Sequence, residues 1–237
     1  MLKVGKYSII KIAFTLSILE VLFIKALSVF FRESERGMAM KKVLITAFEP
    51  FLDVATNASY EALKAVPELI DDKQVIKEGL SVSYRRTPME LKKLIDKHQP
   101  DVVISLGQAA GRAKVSLERV AVNLMDADAE DNDGLVLHDT PIEENGPVGY
   151  FTKLPVRKIF DRTQQMGLPV DFSLTAGGYI CNLTMYTALA LCEREYPHMI
   201  SGFIHVPLYA GQIEDSSKPS LPLEVITRCI IEAVHCL

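Results

Sequence analysis

The sequence predicts an α/β protein, a three-layer α/β/α sandwich around a mostly parallel, twisted sheet. Short apolar runs of the kind that form buried strands alternate with longer segments in which apolar residues recur at helical spacing. Of the 237 residues, 49% are hydrophobic and 24% are charged, which supplies apolar material for one ordinary core and little for a second. We therefore expect a single α/β domain over residues 41–237.

The first half of this domain contains the most apolar predicted strands. Residues 43–46 read Val-Leu-Ile-Thr, a continuous run typical of a strand that is buried on both faces. A helix is expected over residues 57–66, with Asn57 or Ser59 as its N-cap. Further elements are expected at residues 75–82 (strand), 88–98 (helix) and 102–106 (strand).

The second half continues the alternation after an apolar stretch over residues 115–124. The segment over residues 126–133 is acidic, and we expect it to be a solvated, mobile loop. The remaining predicted elements are at residues 154–166 (helix), 172–176 (strand), 180–196 (helix), 202–207 (strand) and 223–236 (helix).

The charge and cysteine pattern exclude several classes of function. The net charge is −4 at pH 7 and we find no basic patch, so no nucleic-acid partner is expected. The four cysteines show neither a CxxC pair nor the spacing of a zinc site or a secreted disulfide scaffold. We expect reduced thiols and a cytoplasmic protein, with Cys192, Cys229 and Cys236 as core fillers.

Residues 1–40 form an apolar N-terminal extension that does not follow the alternation of strands and helices in the rest of the chain. Residues 8–31 are strongly apolar but carry three charged side chains, which a lipid-spanning helix tolerates poorly. No small-residue cleavage site follows the apolar run, so a signal peptide also fits weakly. Either the segment is a weak membrane anchor or the native chain starts at Met38 or Met40, and we favour the later start.

Cys181 is the first candidate for chemistry. It follows Thr175-Ala176-Gly177-Gly178-Tyr179-Ile180, where a predicted strand gives way through two glycines to a helix. The N–H groups and dipole of a helix start favour the thiolate, which lowers a cysteine pKa from about 8.5, and they can also hold an oxyanion. The alternative is that Cys181 is a packed core thiol, and the sequence leaves both open.

His205 and Glu118 are candidate partners for this thiol. His205 lies at the carboxyl end of the predicted strand over residues 202–207, where α/β proteins collect functional residues, and a cysteine nucleophile needs such a base. Glu118 interrupts the apolar stretch 115–124, where an unpaired carboxylate is costly to bury, and it can orient the base. The alternatives are a structural histidine and a surface strand at Glu118.

Five motifs, in this order, resemble those of the pyroglutamyl peptidase I family, also called pyrrolidone carboxyl peptidases. The resemblance covers residues 41–237, so that this domain is expected to be catalytic. The motifs are Thr46-Ala47-Phe48-Glu49-Pro50-Phe51, Gly107-Gln108-Ala109-Ala110-Gly111-Arg112, Glu118-Arg119-Val120-Ala121-Val122-Asn123, Thr175-Ala176-Gly177 through Cys181-Asn182, and Gly202-Phe203-Ile204-His205-Val206-Pro207.

The resemblance implies residue roles. The family's catalytic positions fall here on Glu118, Cys181 and His205. The family's substrate pocket falls on Phe48, Phe51, Asn57, Gln108, Tyr179 and Ile180. An aromatic, uncharged pocket suits the flat lactam of pyroglutamate and rejects an ordinary N terminus, because the ammonium group would lose its water without finding a partner.

The expected reaction is acyl transfer from a peptide with N-terminal pyroglutamate. Cys181 attacks the pyroglutamyl carbonyl, His205 protonates the leaving amine, and water then releases pyroglutamate. No metal or cofactor is expected, and the resemblance implies a homo-oligomer, commonly a tetramer.

An alternative is a binding module for a lactam or peptide terminus with little or no turnover. It rests on residues 126–132, Asp-Ala-Asp-Ala-Glu-Asp-Asn, where a basic and an apolar position of the family are acidic and small.

Overall fold

A seven-stranded sheet forms the centre of the computed structural model, which describes residues 40–50, 56–213 and 217–237. Over these residues the chain forms five α-helices: α1 (Ala58–Ala65), α2 (Arg86–His98), α3 (Val156–Gln165), α4 (Ile180–Arg194) and α5 (Leu223–His235). The strands of the same residues are β1 (Lys41–Phe48), β2 (Leu69–Ile70), β3 (Lys73–Leu80), β4 (Val102–Gln108), β5 (Val115–Glu118), β6 (Val120–Val122), β7 (Met125–Ala127), β8 (Leu137–Thr140), β9 (Gly149–Phe151), β10 (Val170–Ser173), β11 (Ile200–Val206), β12 (Leu208–Tyr209) and β13 (Ser220–Leu221).

The large sheet has the strand order β10-β5-β11-β4-β1-β3-β2. Its centre is parallel, since β4 pairs in parallel with both β1 and β11. Strand β5 pairs antiparallel with β11 and parallel with β10, so the direction of the sheet reverses between β11 and β5. The α/β class is confirmed, with a mixed sheet that is parallel where the most apolar strands lie.

Helices cover both faces of the sheet, which gives the three layers. Successive side chains of a strand point to opposite faces, so Val43 and Ile45 pack into one core and Leu44 and Phe48 into the other. Helices α1, α3 and α5 contribute to the first core, and α2 and α4 to the second. The central strands β1, β4 and β11 are therefore buried at most positions and mostly apolar, as the sequence pattern indicates.

Most predicted elements are present, with differences at their ends. Asn57 is the N-cap of α1, and its side chain accepts a hydrogen bond from the Ser59 backbone N–H. Helix α2 begins two residues before the predicted start, because the Ser83 hydroxyl accepts hydrogen bonds from the backbone N–H groups of Arg85 and Arg86.

The apolar stretch over residues 115–124 divides into two strands that belong to different sheets. Strand β5 joins the large sheet, whereas β6 pairs with β9 in a separate two-stranded ribbon. The chain changes direction at Arg119, whose N–H donates to Ser173 O and whose carbonyl accepts from Thr152 N. The sequence pattern gives no sign of this break.

The acidic segment over residues 126–133 is held in place, so the prediction of a mobile loop is wrong. Its first residues lie in β7, which pairs with β8. Asp131 is 2% exposed, and its carboxylate accepts hydrogen bonds from the backbone N–H groups of Tyr84 (2.8 Å), Asp133 (2.9 Å) and Leu135 (2.9 Å). A buried acidic side chain therefore fixes this segment to the start of α2.

Residues from Lys42 to Leu237 form one compact unit. The predicted N-terminal extension, including the apolar run over residues 8–31, lies outside the described residues except for Met40. In the part of the chain that is described, none of the helices is both long enough and apolar enough to cross a membrane.

Replacing Asp131 with Ala should loosen the acidic segment and destabilise the protein. Three backbone N–H groups lose a charged acceptor, so we expect the free energy of unfolding to fall by about 2–4 kcal/mol. Urea denaturation measures this change, and hydrogen exchange of the Asp133 and Leu135 amides locates it. The fully exposed Asp128 supplies the control, because Asp128→Ala removes a charge from the same segment and breaks an exposed contact of 4.0 Å to His138 instead of bonds to backbone N–H groups.

Candidate active site

The candidate residues meet at the carboxyl ends of the central strands. His205 is the second-last residue of β11, and its partner in the parallel register with β4 is Gly107. Cys181 is the second residue of α4, just after the turn at Gly177, whose φ of +85° suits glycine. The sheet and the start of one helix thus bring together residues that are far apart in the sequence.

Gly107 allows the Cys181 sulfur to lie against the central strand. A Cβ atom at position 107 would lie 2.8 Å from Cys181 Sγ and 2.8 Å from the ring of Phe203, closer than real Cβ atoms come. The sulfur therefore rests on the backbone of β4 at the residue that pairs with His205. The nucleophile and the base flank the same glycine.

Glu118 lies behind the imidazole of His205. The carboxylate is 0% exposed, and its Oε1 atom is 2.7 Å from His205 Nδ1. A carboxylate can only accept, so His205 donates from Nδ1 and keeps the lone pair on Nε2. Arg112 Nη1 also donates to Glu118 Oε1, at 2.7 Å. This pairing places a cation beside the buried carboxylate.

Burial sets the resting protonation states of the two reacting groups. It lowers the pKa of His205 below 6.5 in spite of the opposing effect of Glu118, so the imidazole is neutral at pH 7. Burial, followed by the charge of Glu118, raises the pKa of the Cys181 thiol to about 12. Cys181 as a whole is partly buried, and its resting thiol is protonated at pH 7.

This outcome corrects the sequence argument, which expects the start of a helix to lower the thiol pKa. The enclosure of the sulfur by Gly107 and Phe203 outweighs the helix terminus. In this site the thiol needs a neighbouring base to become a nucleophile, and the neutral His205, which pairs with Gly107 in the sheet register, is the candidate for that base.

Asn182 holds the start of α4 in place. It is fully buried, and its amide group bonds the backbone of β6 in both directions, accepting from Val122 N (3.0 Å) and donating to Val122 O (2.8 Å) and Leu124 O (2.9 Å). Since Asn182 follows the nucleophile directly, these bonds fix the first turn that carries Cys181.

Of the predicted pocket residues, Phe48 lies in the core, whereas Asn57 and Gln108 bond to other parts of the protein. Phe48 is 3% exposed and lies 6.5 Å from the Phe203 ring, so it belongs to the core behind the site. Asn57 caps α1, and the Gln108 side-chain oxygen accepts from Ala58 N (2.7 Å) and from Gln212 Nε2 (2.9 Å). Both amide oxygens are thus already engaged.

Phe51 lies outside the described residues. Tyr179 and Ile180, which precede Cys181, differ in their contacts. The Tyr179 hydroxyl donates to Glu130 O (2.8 Å), and its ring meets the Tyr84 ring edge to face at 5.6 Å. Tyr179 therefore connects the start of α4 to the acidic segment. Ile180 is 1% exposed and packs in the core.

Sequence reasoning missed three residues of this site: Arg112, Phe203 and Asn182. All three lie within the quoted motifs, but no role was assigned to them. Arg112 could have been found from the cost of burying Glu118, which demands a cation nearby. Among the described residues, no group of three or more His, Cys, Asp or Glu side chains is arranged to hold a metal ion.

Comparisons with known proteins identify the family of this chain. The family model for pyroglutamyl peptidase matches residues 41–237. The pyrrolidone-carboxylate peptidase of Bacillus subtilis (strain 168) is 40% identical over 191 residues, 80% of this chain and 89% of that protein. The pyrrolidone-carboxylate peptidase of Thermococcus kodakarensis is 41% identical over 187 residues, 79% of this chain and 91% of that protein.

Solved structures agree with these sequence relatives. The pyroglutamyl peptidase I of Bacillus amyloliquefaciens has a TM-score of 0.80 at 37% identity, covering 83% of this chain and 94% of that chain. The pyrrolidone carboxyl peptidase of Thermococcus litoralis also has a TM-score of 0.80 at 37% identity, covering 83% and 93%. The resemblance drawn from the five motifs is confirmed, and the chain belongs to the pyroglutamyl peptidase family.

Proposed function

We propose that Cys181, His205 and Glu118 form the catalytic centre that removes pyroglutamate from the N termini of peptides. As a member of its family, the chain is a cysteine-type pyroglutamyl peptidase. The observation that carries the residue assignment is the 2.7 Å contact between Glu118 and His205, next to the glycine on which the Cys181 sulfur rests.

In the first step, His205 Nε2 takes the proton of the Cys181 thiol as the sulfur attacks the pyroglutamyl carbonyl carbon. The carbonyl oxygen gains the negative charge, which the free N–H groups of the first turn of α4 can stabilise. When the C–N bond breaks, His205 gives its proton to the leaving amine, and a thioester of pyroglutamate remains on Cys181.

In the second step, His205 takes a proton from water as the water oxygen attacks the thioester carbonyl. Collapse of this intermediate breaks the C–S bond, and the proton on His205 returns to the sulfur, so free pyroglutamate leaves and the thiol is restored. Glu118 stays ionised throughout and holds the imidazole in the tautomer that both steps require.

The substrate pocket is proposed from the family pattern and from the surroundings of the thiol. Phe203 lies against both Gly107 and His205, with ring centroids 4.9 Å apart in the second pair, and because it is 0% exposed it supports the site from the core without lining the pocket. Phe48, Phe51, Asn57, Gln108, Tyr179 and Ile180 are proposed to complete or support this pocket. Within the described residues, the side-chain N–H groups of Asn57 and Gln108 donate no hydrogen bond, and such donors suit a lactam carbonyl.

We also infer a cytoplasmic homo-oligomer. All four cysteines are free thiols, which suits a reducing compartment. Self-association is inferred from the family resemblance, and light scattering of the purified chain checks it, since a monomer mass at all concentrations contradicts it.

Replacing Cys181 with Ser should abolish the release of a fluorescent amine from a pyroglutamyl amide. The serine hydroxyl is a much weaker nucleophile than a thiol, so we expect kcat to fall by at least about 1,000-fold. Cys192→Ala removes another buried thiol from the same helix and should retain activity. Turnover by a folded Cys181→Ser protein at the wild-type rate contradicts the assignment, and a folded wild type without turnover favours a binding module.

The pH dependence of kcat/KM should reveal the protonation of His205. Because a protonated imidazole cannot accept the thiol proton, kcat/KM should rise with pH as His205 loses its proton. Burial lowers the pKa of His205, so the midpoint of the acid limb is expected below pH 6.5. His138→Gln, which changes an exposed histidine, should leave that limb in place. A midpoint above pH 6.5 is incompatible with this role of burial.

A further inference from the structure

Arg112 lies at the end of the glycine-containing loop between β4 and β5. Its Nη1 atom donates to Glu118 Oε1 at 2.7 Å, and its Nη2 atom donates to the backbone oxygen of Thr175 at 3.3 Å. Thr175 precedes the turn that leads to Cys181. One guanidinium group therefore touches both the carboxylate behind the base and the segment that carries the nucleophile.

The position of the Glu118 carboxylate depends on few contacts. Its hydrogen bonds from His205 and Arg112 both end on Oε1. Within the described residues, the second oxygen, Oε2, is buried and has no hydrogen-bond partner. If Arg112 is removed, the bond from His205 is the one that remains to the fully buried Glu118 carboxylate. A buried carboxylate with so few partners changes its position, becomes protonated, or favours a protonated His205.

The charge of Arg112 also acts on both reacting groups. It lowers the pKa of the Cys181 thiol and the pKa of His205, whereas Glu118 raises both. Among the described residues, these are the charged groups that act on His205. Its neighbours Gly107 on β4 and Ser116 on β5 carry no charge, and the Cys181 sulfur on α4 lies against Gly107. Arg112 thus offsets the effect that the buried carboxylate has on the pair.

We propose that Arg112 is a positioning residue of the hydrolytic reaction, which holds the Glu118 carboxylate and offsets its charge so that His205 rests neutral and oriented to accept the thiol proton. The inference rests on the proposed function, because it assigns His205 as the base and Glu118 as its partner. Arg112 acts through Glu118 and does not touch the substrate, so it should affect kcat more than KM.

The test compares Arg112→Gln and Arg112→Lys with Arg119→Gln. Arg112 is 30% exposed at its side chain, so a shorter polar side chain has room. Gln removes the charge, while Lys keeps the charge but loses the fork that reaches both Glu118 and Thr175. Arg119 is an exposed arginine one residue from Glu118 that stacks on Phe172 at 5.5 Å, so its replacement changes the same net charge nearby.

Hydrolysis of a pyroglutamyl amide is measured across pH. Since general acid–base catalysis contributes about 100-fold to 10,000-fold and Arg112 acts on it indirectly, we expect Arg112→Gln to lower kcat by about 10-fold to 100-fold with KM within about 2-fold. The acid limb should move to higher pH. Lys should recover part of kcat and keep the limb near the wild-type position, and Arg119→Gln should match the wild type.

Two results overturn the proposal. One is wild-type kcat and an unmoved acid limb in a folded Arg112→Gln protein, and the other is a loss confined to KM, which indicates substrate binding. If the Gln variant does not fold, the Lys variant decides: a lower kcat at unchanged KM supports the proposal, and wild-type kcat overturns it.

Alkylation of Cys181 by iodoacetamide separates this inference from the proposed function, because it needs no substrate turnover. The modified cysteine is identified by mass spectrometry at each pH. Loss of Arg112 should shift the midpoint of alkylation to higher pH, and loss of Arg119 should not. An equal midpoint in both variants overturns the role of Arg112 even if the wild type cleaves the amide. If the wild type cleaves no amide but the loss of Arg112 still shifts the midpoint of alkylation, only the proposed function fails.

Discussion

The contact between Glu118 and His205 is the constraint on which the rest of the site depends. It forms where the sheet reverses direction, because β5 runs antiparallel to β11 and carries its carboxylate behind the imidazole. In this antiparallel register Ser116 pairs with His205, and Glu118 lies two residues further along β5. The reversal of the sheet therefore accompanies the contact that orients the candidate base.

The site pairs two neutral groups at rest, in contrast to cysteine enzymes that store a thiolate beside a charged imidazole. Enclosure by Gly107 and Phe203 disfavours charge on the Cys181 sulfur, and burial disfavours charge on His205. The proton must then move during the attack, when charge develops on the carbonyl oxygen near the helix start. Two neutral reacting groups also suit an uncharged lactam, because its entry removes water from no charge on Cys181 or His205.

The sequence predicts what is local and misses what depends on distant packing. The strand over residues 102–106 and the helix cap at Asn57 follow from neighbouring residues, and both are found. The pairing of β6 with β9 joins two strands of three residues each, in which Ala121 is the one buried side chain, so both are too short for an alternating pattern to mark them. The protonated state of Cys181 could not be foreseen, because the enclosure of its sulfur comes from strands far along the chain.

The order of strands bears on how the enzyme would fail on heating. The Cys181 sulfur rests on β4 and His205 lies on the neighbouring β11, both in the middle of the sheet. Glu118 lies on β5, which is the second strand from the edge and is covered there by β10 alone. Edges of a sheet open at a lower free energy than its centre. Fraying that begins at β10 reaches the orienting carboxylate while the nucleophile and base still hold their places. Thermal inactivation would then precede the loss of the core, as a reversible decline in turnover within a largely intact fold.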